Sequence, residues 1–356
     1  MFTSKVVDNA RESHLQQLYQ YYRMGVSCLL LSPTLRSILE PALSSPSLEI
    51  PAAEGEFMSV ADLDMCSFNE LSKTVQCARD IVDSYLYLKS INTLSQSLLS
   101  PHQLLTLQYC TAETLVRLAF IIVNSTSCCT HKNSYNLDTI ICGMLKMAAR
   151  LGSVSHLLYL SLYYYRTGRF EKTLHITYST KKRLSQAFIM YYEIVNREMY
   201  NETGGNLPLS RRMNIAWVDD VLLVQNIPFI EELCLEQYVS QQSGEAFLIV
   251  SPFVMVEMLS VLSHYRLGNR TQCLQSLTDL QTLLLYDDWT YVPLTCSFKD
   301  ICWQILGISQ HIVGDLHGAL RSYEESLRQI PDHKIKEATV FRIECVKQQL
   351  QENIHM

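Results

Sequence analysis

A stretch of 34 residues, Asp300 to His333, constrains the fold more than any other part of the chain. It places Trp303, Leu306, Gly307, Gly314, Ala319, Tyr323 and Pro331 at positions 4, 7, 8, 15, 20, 24 and 32 counted from Asp300. Trp303 and Leu306 are one helical ridge apart and share a face. Gly307 has no side chain, so a second helix can approach closely there. Gly314 and Asp315 read as a turn and a helix start, with the carboxylate near the positive helix end. Leu316, Ala319, Leu320, Tyr323, Leu327 and Ile330 then recur at three- and four-residue steps as one apolar helical face. Pro331 cannot continue that helix.

This length and spacing resemble the tetratricopeptide repeat, a helix-turn-helix unit that builds protein-binding scaffolds. Gln310 and Ser326 depart from it, standing where Tyr and Ala are usual. Weaker copies lie upstream, aligned on the turn glycine. One spans 154–187 around Tyr164-Tyr165-Arg166-Thr167-Gly168, with Leu157, Leu160 and Leu174 on core positions and Thr173, Thr177 and Thr180 as degenerate ones. Another spans 254–287 around His264-Tyr265-Arg266-Leu267-Gly268, with Cys273, Leu274, Leu277 and Leu280 following. The similar string Tyr22-Arg23-Met24-Gly25 has no repeat pattern after it and reads as coincidence or a plain helix end. About 66 residues separate the first two windows and about 12 the last two, which predicts an irregular helical stack with insertions.

The whole chain reads as all-α. Residues 1–150 form a helical N-terminal region, with a Pro- and Ser-rich loop at 33–59. Phe68 to Leu99 and His102 to Val123 carry helical periodicity, and 124–136 reads as a polar loop. Residues 151–356 form the repeat region. Within it, Asn201 to Pro208 predicts an exposed loop, and Trp217 to Gln242 predicts helices interrupted at Pro228. No alternation is long enough to predict a strand. A last helix, 334–351, puts Ile335, Ala338, Phe341 and Cys345 on one face and charges on the other, as a cap on the stack.

Composition narrows the function classes. With 48% hydrophobic residues among 356, the chain can bury a large core. A net charge of −6 disfavours broad nucleic-acid or anionic-membrane binding. The basic clusters Lys181-Lys182-Arg183 and Arg211-Arg212 are short and read as solvated faces. Lys5, Asp8, Arg11 and Glu12 break any secretory leader, and the apolar run Leu115 to Val123 is too short to span a bilayer. Cysteines such as Cys77, Cys110, Cys234 and Cys302 fall on apolar helix faces, which suits reduced thiols and predicts a cytoplasmic protein. The glycosylation sequons at Asn124, Asn201 and Asn269 are then chance matches.

Candidate chemistry is sparse. Cys128-Cys129-Thr130-His131 lacks a paired Cys-x-x-Cys knuckle and predicts no metal site. Asp62-Leu63-Asp64 has the spacing of a two-metal carboxylate pair, but only Gly55-Glu56 precedes it where a Gly-Ser turn belongs. A helix-start carboxylate pair fits better. His156, His264 and His311 are single histidines on apolar helices and read as packed core or groove residues, not catalysts. The expectation is a chain that is no enzyme and needs no cofactor.

The positive expectation is binding of a protein or peptide. The tetratricopeptide resemblance implies a concave groove lined by Ser155, Leu158, Leu162, Tyr165 and Arg166 in one copy. In the last copy it implies Ile301, Gln304, Ile308, His311 and Ile312. Only Arg166 matches the Lys, Asn and Arg set with which some members hold a carboxylate, so apolar and aromatic contact is expected, unless these side chains pack on neighbouring helices instead. A narrower resemblance runs through Ala148 to Leu184, Phe253 to Ser260 and Thr278 to Asp287. These runs are similar to the helical C-terminal regions of invertebrate proteins related to the male-abnormal Mab and cyclic GMP-AMP synthase families. That resemblance implies an accessory region of a nucleotide-sensing protein, separated from its nucleotidyltransferase-fold domain, either by a truncated gene model or as a stand-alone adaptor.

Overall fold

A computed structural model describes residues 59–73, 81–125, 131–194, 196–224, 227–285 and 298–355. Nearly all of the loop expected at 33–59, the string at 22–25, Cys77 and the 128–130 part of the candidate zinc run lie outside the described residues. The described chain is all-α, with fourteen α-helices and two small antiparallel ribbons.

The first four helices are α1 (Val60–Lys73), α2 (Ile81–Ser95), α3 (Pro101–Ser125) and α4 (His131–Leu151). Ser59 starts α1 through reciprocal bonding with Asp62: the Ser59 hydroxyl donates to the carboxylate at 2.7 Å and accepts from the Asp62 N–H at 3.3 Å. Helix α3 is long and apolar enough to cross a membrane, and it is longer than its Leu115–Val123 run suggests. In this fold 83% of its most apolar window is buried against neighbours.

Two helices follow, α5 (His156–Arg166) and α6 (Phe170–Leu184). An insertion then carries β1 (Met190–Tyr191), β2 (Glu193–Ile194), α7 (Arg197–Gly204), α8 (Leu209–Ala216), β3 (Val221–Val224), a 3-10 turn (Glu231–Leu233), α9 (Cys234–Gln242) and β4 (Phe247–Val250). Helices α10 (Pro252–Arg266), α11 (Arg270–Leu285), α12 (Lys299–Val313), α13 (Leu316–Arg328) and α14 (Lys336–His355) complete the chain.

Three helix pairs share one turn and one packing register. Gly168, Gly268 and Gly314 sit between α5 and α6, α10 and α11, and α12 and α13, with φ of 72°, 72° and 93°. In each turn the glycine N–H donates to the carbonyl three residues back, and the next residue's N–H donates five back (Arg169 to Tyr164, Asn269 to His264, Asp315 to Gln310). This is a Schellman ending, which needs a left-handed residue and so selects glycine. The residue five places after each glycine is buried: Thr173, Cys273 and Ala319. So are Thr177, Leu277 and Tyr323, and likewise Thr180, Leu280 and Ser326, further along the second helices. The threonines that make the first copy degenerate thus occupy interior positions. They satisfy their hydroxyls on their own helix, as Thr180 Oγ1 does at 2.9 Å from the Ile176 carbonyl.

The pairs stack although they are not in tandem. Helix α6 packs on α10, α10 and α11 pack on α12, and α13 packs on α14. One apolar core runs from Ala112 to Val346, so residue 150 marks no break in packing. In the last pair Ala319 and Tyr323 are buried, as is Leu306, while Trp303 is half-buried at the edge of the core. A Cβ on Gly307 would lie 2.5 Å from Tyr323 Cε1, so the close approach is real. The face continues less far than its pattern: α13 ends at Arg328, and Leu327 and Ile330 are exposed before Pro331.

Three local expectations are corrected. Residues 201–204 belong to α7, capped by Asn196 Oδ1 accepting from Met199 N–H at 3.0 Å, with Tyr200 buried. The 217–242 stretch is not wholly helical, because Val221–Val224 pairs with Phe247–Val250 across the α9 excursion. On α14 the buried face is Ala338, Ile343 and Val346, following Ile335, whereas Phe341 is 56% exposed.

Candidate functional site

The insertion lies against the faces that were expected to form a groove. Leu158, Leu162 and Tyr165 on α5, and Gln304 and Ile308 on α12, are buried, as are Ser155 and Ile301. Tyr159 reaches strand β3, where its hydroxyl accepts from the Leu222 N–H at 2.8 Å. The Tyr165 hydroxyl donates to Glu232, and the Gln304 amide donates to Glu236 at 2.7 Å. His311 is half-buried, its Nε2 3.1 Å from Gln349 of α14. Most of these side chains therefore pack inside the stack, some of them on the insertion and α14, while Arg166, His311 and Ile312 stay partly exposed.

Glu232 and Glu236, one helical turn apart, join separate parts of the stack. Arg342 of α14 holds Glu236 through two bonds, Nε to Oε1 at 2.5 Å and Nη2 to Oε2 at 2.9 Å, and also donates to the Glu232 carbonyl. Arg266 at the end of α10 lies 3.3 Å from Glu232. Burial, followed by the Glu232 carboxylate, pushes the Tyr165 phenol well up. Sequence pattern gave no sign of these carboxylates, since each partner lies tens of residues away.

A second polar centre is wholly internal. Ser153 N–H donates to His156 Nδ1 at 3.1 Å, so the ring proton sits on Nε2, 3.2 Å from Glu113. Ser153, His156 and Glu113 thus have a serine–histidine–acid order, but all are buried and the imidazole lone pair is held by a backbone N–H. The group caps a turn and positions no exposed nucleophile. Burial pushes Glu113 up, but the His156 bond and Arg117 hold it below the usual carboxylate range. Nearby, the Tyr109 hydroxyl donates to Asp219 at 2.6 Å. Burial raises Asp219 to about 7, with Asp220 and Glu113 adding repulsion.

The remaining candidates are engaged structurally. Asp62 and Asp64 stand in the first turns of α1, not on a strand. Asp62 pairs with Arg197 at 3.0 Å, while buried Asp64 takes Arg212 and the Tyr200 hydroxyl. Lys181 joins Glu257 at 2.7 Å and Asp279 at 2.8 Å, tying α6 to α10 and α11. Among the described residues no group of three or more His, Cys, Asp or Glu side chains is placed to hold a metal ion. Cys110, Cys273 and Cys302 are buried cysteines outside any disulfide.

One open cleft of about 270 Å³ lies on the insertion, lined by Ile227, Pro228, Cys234, Gln237, Tyr238 and Gln241. Tyr238 stands 61% exposed on α9. Arg166 borders this cleft, donating to the Pro228 carbonyl and to Asn124 Oδ1. Burial pushes its guanidinium down, and Cys234 and Glu231 oppose that. The sequence flagged Arg166 but not Tyr238, whose exposure depends on the tertiary placement of a short helix.

No protein-family model, no curated protein and no solved structure matches this chain.

Proposed function

We propose that this protein is a non-catalytic scaffold of tetratricopeptide-like hairpins that binds a protein or peptide partner in the cytoplasm. The observation that carries the reading is the common turn and register of the three hairpins at Gly168, Gly268 and Gly314. Units of this kind bury a shared core by stacking and leave their outer faces for recognition. The net charge of −6, and the carboxylates that hold Lys181 and Arg212 within the two short basic clusters, support a protein partner over nucleic acid. Partner contact belongs on the cleft side of the insertion, because the hairpin faces beneath it are covered.

The test is two-armed. Cross-linking followed by titration calorimetry with the purified partner should give a saturable complex. Incubation with ATP, GTP, magnesium or manganese and duplex nucleic acid should give no nucleotide product. A cyclic dinucleotide that disappears in Asp62→Asn would overturn the scaffold reading. A second reading, an accessory region of a nucleotidyltransferase-fold sensor, rests on the Mab-like runs, which map to α4 to α6, α10 and α11. A full-length transcript encoding a Gly-Ser turn and an Asp-x-Asp strand upstream would favour it.

A further inference from the structure

Arg166 differs from the ion-paired cations of this fold. Arg169 has Asp138 at 2.7 Å, Arg266 has Glu232 at 3.3 Å, and Arg342 has Glu236 at 2.5 Å. Arg212 has Asp64, and Lys181 has both Glu257 and Asp279. Arg166 meets two neutral oxygens, the Pro228 carbonyl and Asn124 Oδ1, and among the described residues no carboxylate closes an ion pair with it. A half-buried guanidinium bound only to neutral acceptors keeps most of its attraction for an anion.

That cation borders the cleft, since Pro228 and Cys234 both line the hollow and both neighbour Arg166. The hollow, about 270 Å³, falls just below the usual range for small-molecule sites and suits one or two large side chains. Its rim carries Tyr238, a residue type enriched where binding energy concentrates. We propose that this cleft, with Arg166, is a docking site for a partner peptide that presents an acidic side chain next to an aromatic or aliphatic one. The apolar side chain fills the hollow between Ile227 and Tyr238, and the carboxylate replaces neutral oxygens at the Arg166 guanidinium. Glu231 lies near the arginine and argues against a polyphosphate backbone, which would bring several negative charges where one is accommodated.

This inference rests on the scaffold reading and names the chemistry of one of its sites. The probes are two fluorescein-labelled hexapeptide libraries, one with Glu beside Phe, Trp or Leu, the other with Gln in place of Glu. Fluorescence anisotropy with the full chain should select members of the acidic library. Exchanging Glu for Gln in the best peptide should weaken binding about tenfold or more, as expected for loss of one charge-assisted contact. Arg166→Met and Tyr238→Ala should weaken it similarly, and Arg166→Lys should retain part. The exchange in the peptide leaves the protein untouched, so it decides the matter even if Arg166→Met folds poorly. Equal binding of the two libraries overturns the proposal, as does binding that survives both protein substitutions. Silence of the acidic library at millimolar concentration does so too, as does binding of duplex DNA or anionic vesicles that Arg166→Met removes. The peptide results leave the scaffold reading standing, which falls to the nucleotide product or to the absence of any protein partner complex.

Discussion

Gly307 shows how much a single residue can state in advance. The 34-residue pattern asks for close helix approach at that position, and Tyr323 supplies the ring that fills it. Gly307→Leu should cost about 1–3 kcal/mol by overpacking. Gly307→Ala combined with Tyr323→Leu should lose less than the sum of the two single changes, because the clash has been relieved. Strict additivity in thermal unfolding would refute the contact. Gly204, where a Cβ would meet only ordinary contacts from 3.4 Å outward, is the control position. Asp219 was invisible to the pattern, because its character comes from burial beside Tyr109 and Glu113. Folded, it keeps its proton to about pH 7, against about 4 for an exposed carboxyl. Between those values the folded state holds more protons than the unfolded state, so stability falls as pH rises. The contribution is full below about pH 4 and gone above about pH 7. Asp219→Asn preserves an acceptor for Tyr109 and should flatten the slope of unfolding free energy across that window. An unchanged slope would show that another group sets it.

Among elements, helices with long apolar periods were readable and short elements were not. Helix α3 follows its predicted bounds closely because its periodicity persists over many turns. Strand β3, Val221 to Val224, is a short apolar run that helix and strand share, and its partner β4 lies beyond a helix. Nothing local could reveal that pairing. Helix α14 misled for another reason: Arg342 stands on its buried side to reach Glu236, while apolar Phe341 points outward. The three turn glycines offer a direct test of hairpin equivalence. A Cβ at Gly168, Gly268 or Gly314 would meet nothing within 4 Å, so alanine there is penalised only by its left-handed backbone. Each substitution should cost about 1–2 kcal/mol, with the three values close to one another in denaturant titrations. One turn far more costly than the others would break the equivalence.

At the scale of the molecule, the stack is joined by more than nearest-neighbour packing. Glu232 and Glu236 touch α5, α10, α12 and α14 from a segment inserted between the first and second hairpins. Simple solenoids unfold as chains of neighbours, whereas this arrangement couples distant units. Guanidinium unfolding should therefore show coincident fluorescence and far-ultraviolet circular dichroism transitions. Arg342→Met leaves Glu236 buried without its partner and should destabilise the chain by about 3–5 kcal/mol. If that substitution loosens only α14 while the rest melts as before, the coupling is absent. The carboxylate pair also acts as a ruler of fixed length. Repeat arrays ordinarily tolerate the gain or loss of a unit, since each neighbour offers the same surface to the next. Here a deleted or duplicated hairpin would move Tyr165, Gln304 and Arg342 out of reach of one short segment, Glu231 to Glu236, so the number of hairpins is set from within.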